Sequence, residues 1–172
     1  MKFGYKGFTI VELMIVLAIA GIVMAAAVPS FKDMIVRNRI ATQTNEFLLA
    51  LNLARSEALR VSGTVSVQAA APATGNRFGG GWCVVIGNPG NCSGTLLRSF
   101  PALAGLTTLD SVEGLNAIPF NSLGGLGTTA IQNIDLCYPD YADDAKRIVI
   151  SLIGRSKSHS VDALVPATRP VC

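Results

Sequence analysis

The chain has 172 residues, half of them hydrophobic, with a formal net charge of +3 and a single histidine. Removing a leader that carries Lys2 and Lys6 leaves 12 basic against 11 acidic residues, so global charge makes no case for nucleic acid. Four cysteines without a CxxC pair and one histidine do not supply the ligand spacing of a zinc site, and no cofactor motif is present.

The first element is an apolar run from Phe8 to Val28, 21 residues long and sufficient to span a bilayer. It exceeds the usual apolar region of a secretory signal, although Ala25-Ala26-Ala27-Val28 resembles a cleavage site. A plain membrane anchor explains the length but not Glu12, since an isolated carboxylate costs about 2.5 kcal/mol or more near a helix centre in a membrane. One bland explanation places Glu12 near the interface, favoured by the positive helix N-terminus.

The stretch Lys6-Gly7-Phe8-Thr9-Ile10-Val11-Glu12-Leu13 resembles the processing motif of type IV prepilins and type II secretion pseudopilins. The resemblance implies cleavage by a prepilin peptidase between Gly7 and Phe8, and N-methylation of Phe8. It also implies that Glu12, the fifth residue of the mature chain, pairs with the terminal amine of a neighbouring subunit. Pro29 matches the proline that bends the helix in this family.

From Ser30 to Val61 there is neither proline nor glycine, and Ile40, Phe47, Leu48, Leu51, Ala54 and Ala58 fall close to one helical stripe. Arg37, Arg39, Gln43, Asn45, Asn52 and Arg55 lie mostly away from it. The second half of the helix is therefore expected to be amphipathic and to pack on a soluble body, with Ser62-Gly63 as its stop. A helix from Phe8 to Val61 would be roughly 80 Å long. The heptad is not sustained and a globular sequence follows, which argues against a coiled coil.

Ala54-Arg55-Ser56-Glu57-Ala58 resembles the end of this helix in the GspH/FimT family of minor pseudopilins and minor pilins. Residues 118–124, Ile-Pro-Phe-Asn-Ser-Leu-Gly, resemble that family's strand-and-turn pattern, and 147–155 its terminal strand leading into a Gly-Arg turn. The resemblance implies an α+β pilin fold: a long N-terminal helix, transmembrane then amphipathic, packed on a C-terminal antiparallel β-sheet body. The expected organisation is a 1–7 leader, an 8–29 transmembrane and assembly helix, its amphipathic half at 30–63, and a disulfide-bonded body at 64–172.

After Gly63 the period changes to short β-branched or alternating runs separated by Gly, Pro and Asn, consistent with five to seven antiparallel strands. Residues 71–81 are turn-rich and are expected to be mobile. Their Gly79-Gly80-Gly81 run lacks the Lys-Ser/Thr, strand and helix of a phosphate cradle. Trp82 at the start of a strand is expected in the core. The even cysteine count behind a membrane segment indicates disulfides. The simplest pairing is Cys83–Cys92 across an Asn-Pro-Gly-Asn turn and Cys137–Cys172, among three possible connectivities.

No catalytic constellation is evident. His159 lies in a polar stretch without a nucleophile elbow, and Asp140, Asp143 and Asp144 lack EF-hand spacing, so a solvated acidic loop is expected. Six acids and no Lys or Arg lie between Asp110 and Asp144, whereas Lys146–Cys172 carries five basic residues and one acid. In this basic section Gly154-Arg155-Ser156-Lys157 resembles the Gly-Arg-x-Arg motif of FimT-type DNA-uptake minor pilins, with Lys157 in place of the last Arg. That resemblance implies sequence-independent, salt-sensitive phosphate contacts from Arg155 and Lys157, widened by Lys146, Arg147 and Arg169.

The expectation is a non-enzymatic minor pilin or pseudopilin, without cofactor or metal, that starts or caps a type IV pilus or type II secretion pseudopilus. The resemblance implies other pilin subunits, the prepilin peptidase, the inner-membrane assembly platform and inner-membrane lipid as partners. It also implies a single-pass protein of the bacterial inner membrane with a periplasmic body, later moved into the fibre. DNA binding for natural transformation, and a plain membrane-anchored periplasmic protein, are the alternatives.

Overall fold

The computed structural model describes residues 7–160. The chain divides into two compact units between Asn38 and Arg39. One helix, α1 (Ile10–Val61), contributes to both.

In the first unit the helix starts with a capping box: Thr9 Oγ1 accepts a hydrogen bond from Glu12 N at 3.1 Å, while Thr9 N donates to Glu12 Oε2 at 3.5 Å. Gly7, Phe8 and Thr9 precede the helix in non-regular conformation. The most apolar window of α1 is long enough to cross a membrane and none of it is buried within the chain. Pro29 lies within α1.

In the second unit, residues 39–61 of α1 pack on two four-stranded antiparallel sheets. Sheet A has the order β3 (Thr95–Phe100), β2 (Trp82–Ile86), β1 (Val65–Ala69), β5 (Ala117–Phe120). Sheet B has the order β4 (Thr108–Ser111), β6 (Gln132–Cys137), β7 (Lys146–Ile150), β8 (Ser156–Ser160). The strand expectation therefore needs correcting: the described residues hold eight strands in two sheets, not five to seven. The two unanticipated strands, β4 and β8, read Thr-Leu-Asp-Ser and Ser-Lys-Ser-His-Ser, too short or too polar to show an apolar period.

Fully buried Ile40, Phe47, Leu51, Ala54 and Ala58 give α1 its core face. Phe47 meets Phe78 and Trp82 edge-on, each at 5.2 Å between centroids, and Trp82 stacks on Phe100 at 5.4 Å. Trp82 is thus a core residue, as expected. The turn-rich 71–81 loop is anchored at Phe78. That residue is fully buried, its amide donates to Leu109 O, and Asn76 Oδ1 accepts from Leu109 N, so this loop caps the edge of β4.

All five residues of β1 are buried, although alternation alone would expose Ser66 and Gln68. The 87–92 loop covers them: Ser66 Oγ donates to Gly87 O and Gln68 Nε2 to Asn88 Oδ1, both at 2.7 Å. The Cys83–Cys92 disulfide closes that loop. The helix stop is also more specific than its sequence. Ser62, not Gly63, adopts the left-handed conformation (φ +50°), and Gly63 N donates back to Ala58 O at 3.2 Å.

Candidate assembly and binding surfaces

The segments that carried the family resemblance meet at one end of the second unit. Arg55, from the helix, donates through Nε to Gly124 O at 2.9 Å. Gly124 ends a turn organised by Asn121, whose Oδ1 accepts from Leu123 N and Gly125 N at 3.0 Å each. Gly154 closes the β7–β8 turn at φ +74°, and a Cβ there would overlap Gly124 O and lie 3.2 Å from Arg55 Nε. Leu126 N donates to Leu152 O at 2.9 Å, joining the two turns. The helix end, the 121–126 turn and the 151–155 turn therefore form one pinned junction, and Arg155 leaves it directly into β8. Each of the three segments stands out in the sequence, but no local pattern signals that they touch.

The basic residues of the C-terminal section separate onto different surfaces. The register pairs Val149 with Lys157 and Arg147 with His159, placing all four on one face of sheet B. Val149, Ser151, Ile153, Arg155, Lys157 and His159 line one shallow depression. Lys146 points to the other face, where Nζ donates to Ser160 Oγ at 3.0 Å beside Ala41, Thr44 and Asn45 of α1. Arg147 shares the outer face but is held by Asp135 through two 2.6 Å hydrogen bonds. These bonds raise its pKa above the ordinary value and compensate its charge. Arg169 lies outside the described residues. The structure thus gathers Arg155, Lys157 and His159, and leaves Lys146 and Arg147 outside that group. Strand alternation would have separated Lys146 from Lys157, had β8 been legible as a strand.

A second ion pair continues the row. Asp110 sits opposite Asp135 in the β4–β6 register, and Arg77 Nη1 reaches both Asp110 oxygens at 2.8 and 2.9 Å. Two acids facing each other across strands repel, and each is answered by its own arginine. Cys137, at the end of β6, is disulfide-bonded. Its expected partner Cys172 lies outside the described residues.

A family model described as type II transport protein GspH matches residues 43–154, well over half of the chain. The chain belongs to the GspH family. A second model, the prokaryotic N-terminal methylation motif, matches residues 2–28. The type IV minor pilin FimU of Pseudomonas aeruginosa PAO1 is similar in structure, with a TM-score of 0.62 at 22% identity over 72% of this chain and 90% of that one. A second crystal form of FimU gives 0.59 at 21% identity, covering 69% and 91%. At these identities the likeness shows the fold, an α+β pilin fold. A type IV major fimbrial protein FimA of Dichelobacter nodosus is 54% identical over 41 residues, 24% of this chain and 26% of that protein. The match to such curated relatives spans about a quarter of their length. This GspH-family chain thus joins an N-terminal methylation motif to a body with the pilin fold. Its N-terminal helix is long and apolar enough to cross a membrane.

Proposed function

We propose that the chain is made as a prepilin, cut by a prepilin peptidase between Gly7 and Phe8, and N-methylated at Phe8. It then waits in the inner membrane with its body in the periplasm until the assembly platform moves it into a pilus or pseudopilus fibre, which it helps to start or cap. The observation that carries this reading is the join of a methylation motif at 2–28 to a GspH body at 43–154, through a helix whose apolar window finds no partner within the chain. In the membrane the capping box engages the Glu12 carboxylate; in the fibre Glu12 meets the amine of another subunit's first residue. A Cys137–Cys172 disulfide fastens the C-terminal segment to β6. Mass spectrometry of the purified protein tests the reading: N-methyl-Phe8 is expected, and an intact Met1 would leave a plain membrane-anchored protein instead.

A second reading is favoured by one observation, the gathering of Arg155, Lys157 and His159 on the outer face of β7 and β8. Arg155 and Lys157 would grip duplex DNA through phosphates, without sequence preference. The full chain in detergent should then shift the anisotropy of labelled duplex at about 50 mM salt and release it as salt rises. Arg155→Ala with Lys157→Ala should abolish the shift, whereas Lys146→Ala should not. Equal loss from Lys146→Ala would refute this placement of the contact.

A further inference from the structure

The core face of β7 is aliphatic except at its first residue. Ile148 and Ile150 are fully buried there, whereas Lys146, on the same face, is half-buried. In the register Lys146 lies between Leu136 of β6 and Ser160 of β8, and Ser158 follows on the same face of β8. Lys146, Ser158 and Ser160 form one wall of a depression of about 140 Å³, and Ala41, Thr44 and Asn45 of α1 form the other.

This depression carries charge of one sign. Arg77 and Arg147 are each answered by an aspartate at 2.6 to 2.9 Å. Lys146 instead donates to Ser160 Oγ at 3.0 Å, and among the described residues it has no carboxylate partner. No acid lines the depression either. A hydroxyl cannot neutralise an ammonium drawn partly out of water, whereas an anion can. Only one of the three ammonium donors is engaged by Ser160, which keeps its own O–H to donate. The Ser158 hydroxyl adds a donor on the strand wall and the Asn45 amide one on the helix wall. Thr44 does not contribute its proton, because Oγ1 donates to Ile40 O at 2.7 Å.

We propose that this depression binds a phosphate group. A tetrahedral oxyanion presents acceptors in several directions, so it meets donors on both walls at once, whereas those of a carboxylate lie in one plane. The bound group bridges α1 to β8, the edge strand of sheet B, whose opposite face carries Lys157 and His159. The site is therefore separate from the outer-face cations, and it does not depend on the fibre reading. The test is amide hydrogen exchange of the full chain in non-ionic detergent. Inorganic phosphate, or phosphatidic acid in the micelle, is compared with chloride at equal ionic strength. Saturable slowing of about fivefold or more is expected in β8, with sheet A unchanged. Slowing by inorganic phosphate assigns the site to the free ion; slowing by phosphatidic acid alone assigns it to a lipid phosphate. Lys146→Met should remove the effect, and Arg155→Ala with Lys157→Ala should keep it. Ser158→Asp sets a carboxylate beside Lys146, so it should slow β8 exchange without phosphate and abolish the response. That variant decides the matter if altered Trp82 fluorescence shows that Lys146→Met loosens the body. No slowing by either ligand, slowing spread over both sheets, or a response that survives both Lys146→Met and Ser158→Asp would each overturn the proposal. So would a response lost with Arg155 and Lys157.

Discussion

Glu12 and Gly154 illustrate how a single residue can be understood only through its neighbours. Glu12 looked expensive in an apolar run, yet Thr9 gives it a local role, since the pair satisfies helix-start groups that lipid would leave bare. Gly154 belongs to the basic Gly-Arg turn, but its reason is spatial. It combines a left-handed backbone with contact against Gly124 O, so any side chain meets both strain and overlap. Gly154→Ala should destabilise the body by about 3 kcal/mol, read as a lower midpoint in denaturant followed by Trp82 fluorescence. A midpoint within error of wild type would show that the two turns are not locked together. Ser62 makes the converse point. The helix stop was legible as Ser-Gly, but which of the two residues turns left-handed depends on the bond from Gly63 to Ala58.

At the scale of elements, apolar alternation located six strands and missed two. The residues that define β4 and β8 are small or polar, and pairing with β6 and β7 makes them strands. The same omission blurred the basic group, because only strand geometry sends Lys157 and Lys146 to opposite faces. The Cys83–Cys92 loop was readable from its turn residues, but what it covers was not. It roofs Ser66 and Gln68, polar side chains that β1 would otherwise present to water. Replacing both cysteines by serine should cost about 2–3 kcal/mol for a loop of this length. Hydrogen exchange should speed up selectively in β1 and β2. Uniform acceleration across both sheets would mean that the disulfide holds the whole body rather than this roof.

For the whole molecule, the prediction concerns assembly. Removing the carboxylate lowers the cost of placing the helix in lipid, so Glu12→Ala should insert at normal levels yet be lost from sheared fibres. Immunoblots of membrane and fibre fractions check this; normal amounts in fibres would remove the pairing role. By itself, the sequence determined the class of this protein. Leader, apolar run and helix period are local patterns, read along the chain without knowing what lies across from it. Only the tertiary structure decided which parts act together: Arg55 with Gly124 and Gly154, Arg147 with Asp135, and Arg155 with Lys157 and His159 apart from Lys146. The bond from Arg55 to Gly124 spans 69 positions and that from Arg147 to Asp135 spans 12. The basic group is close in sequence, but its shared face exists only because β8 pairs with β7. All three associations depend on strand register and turn packing, which no local period records.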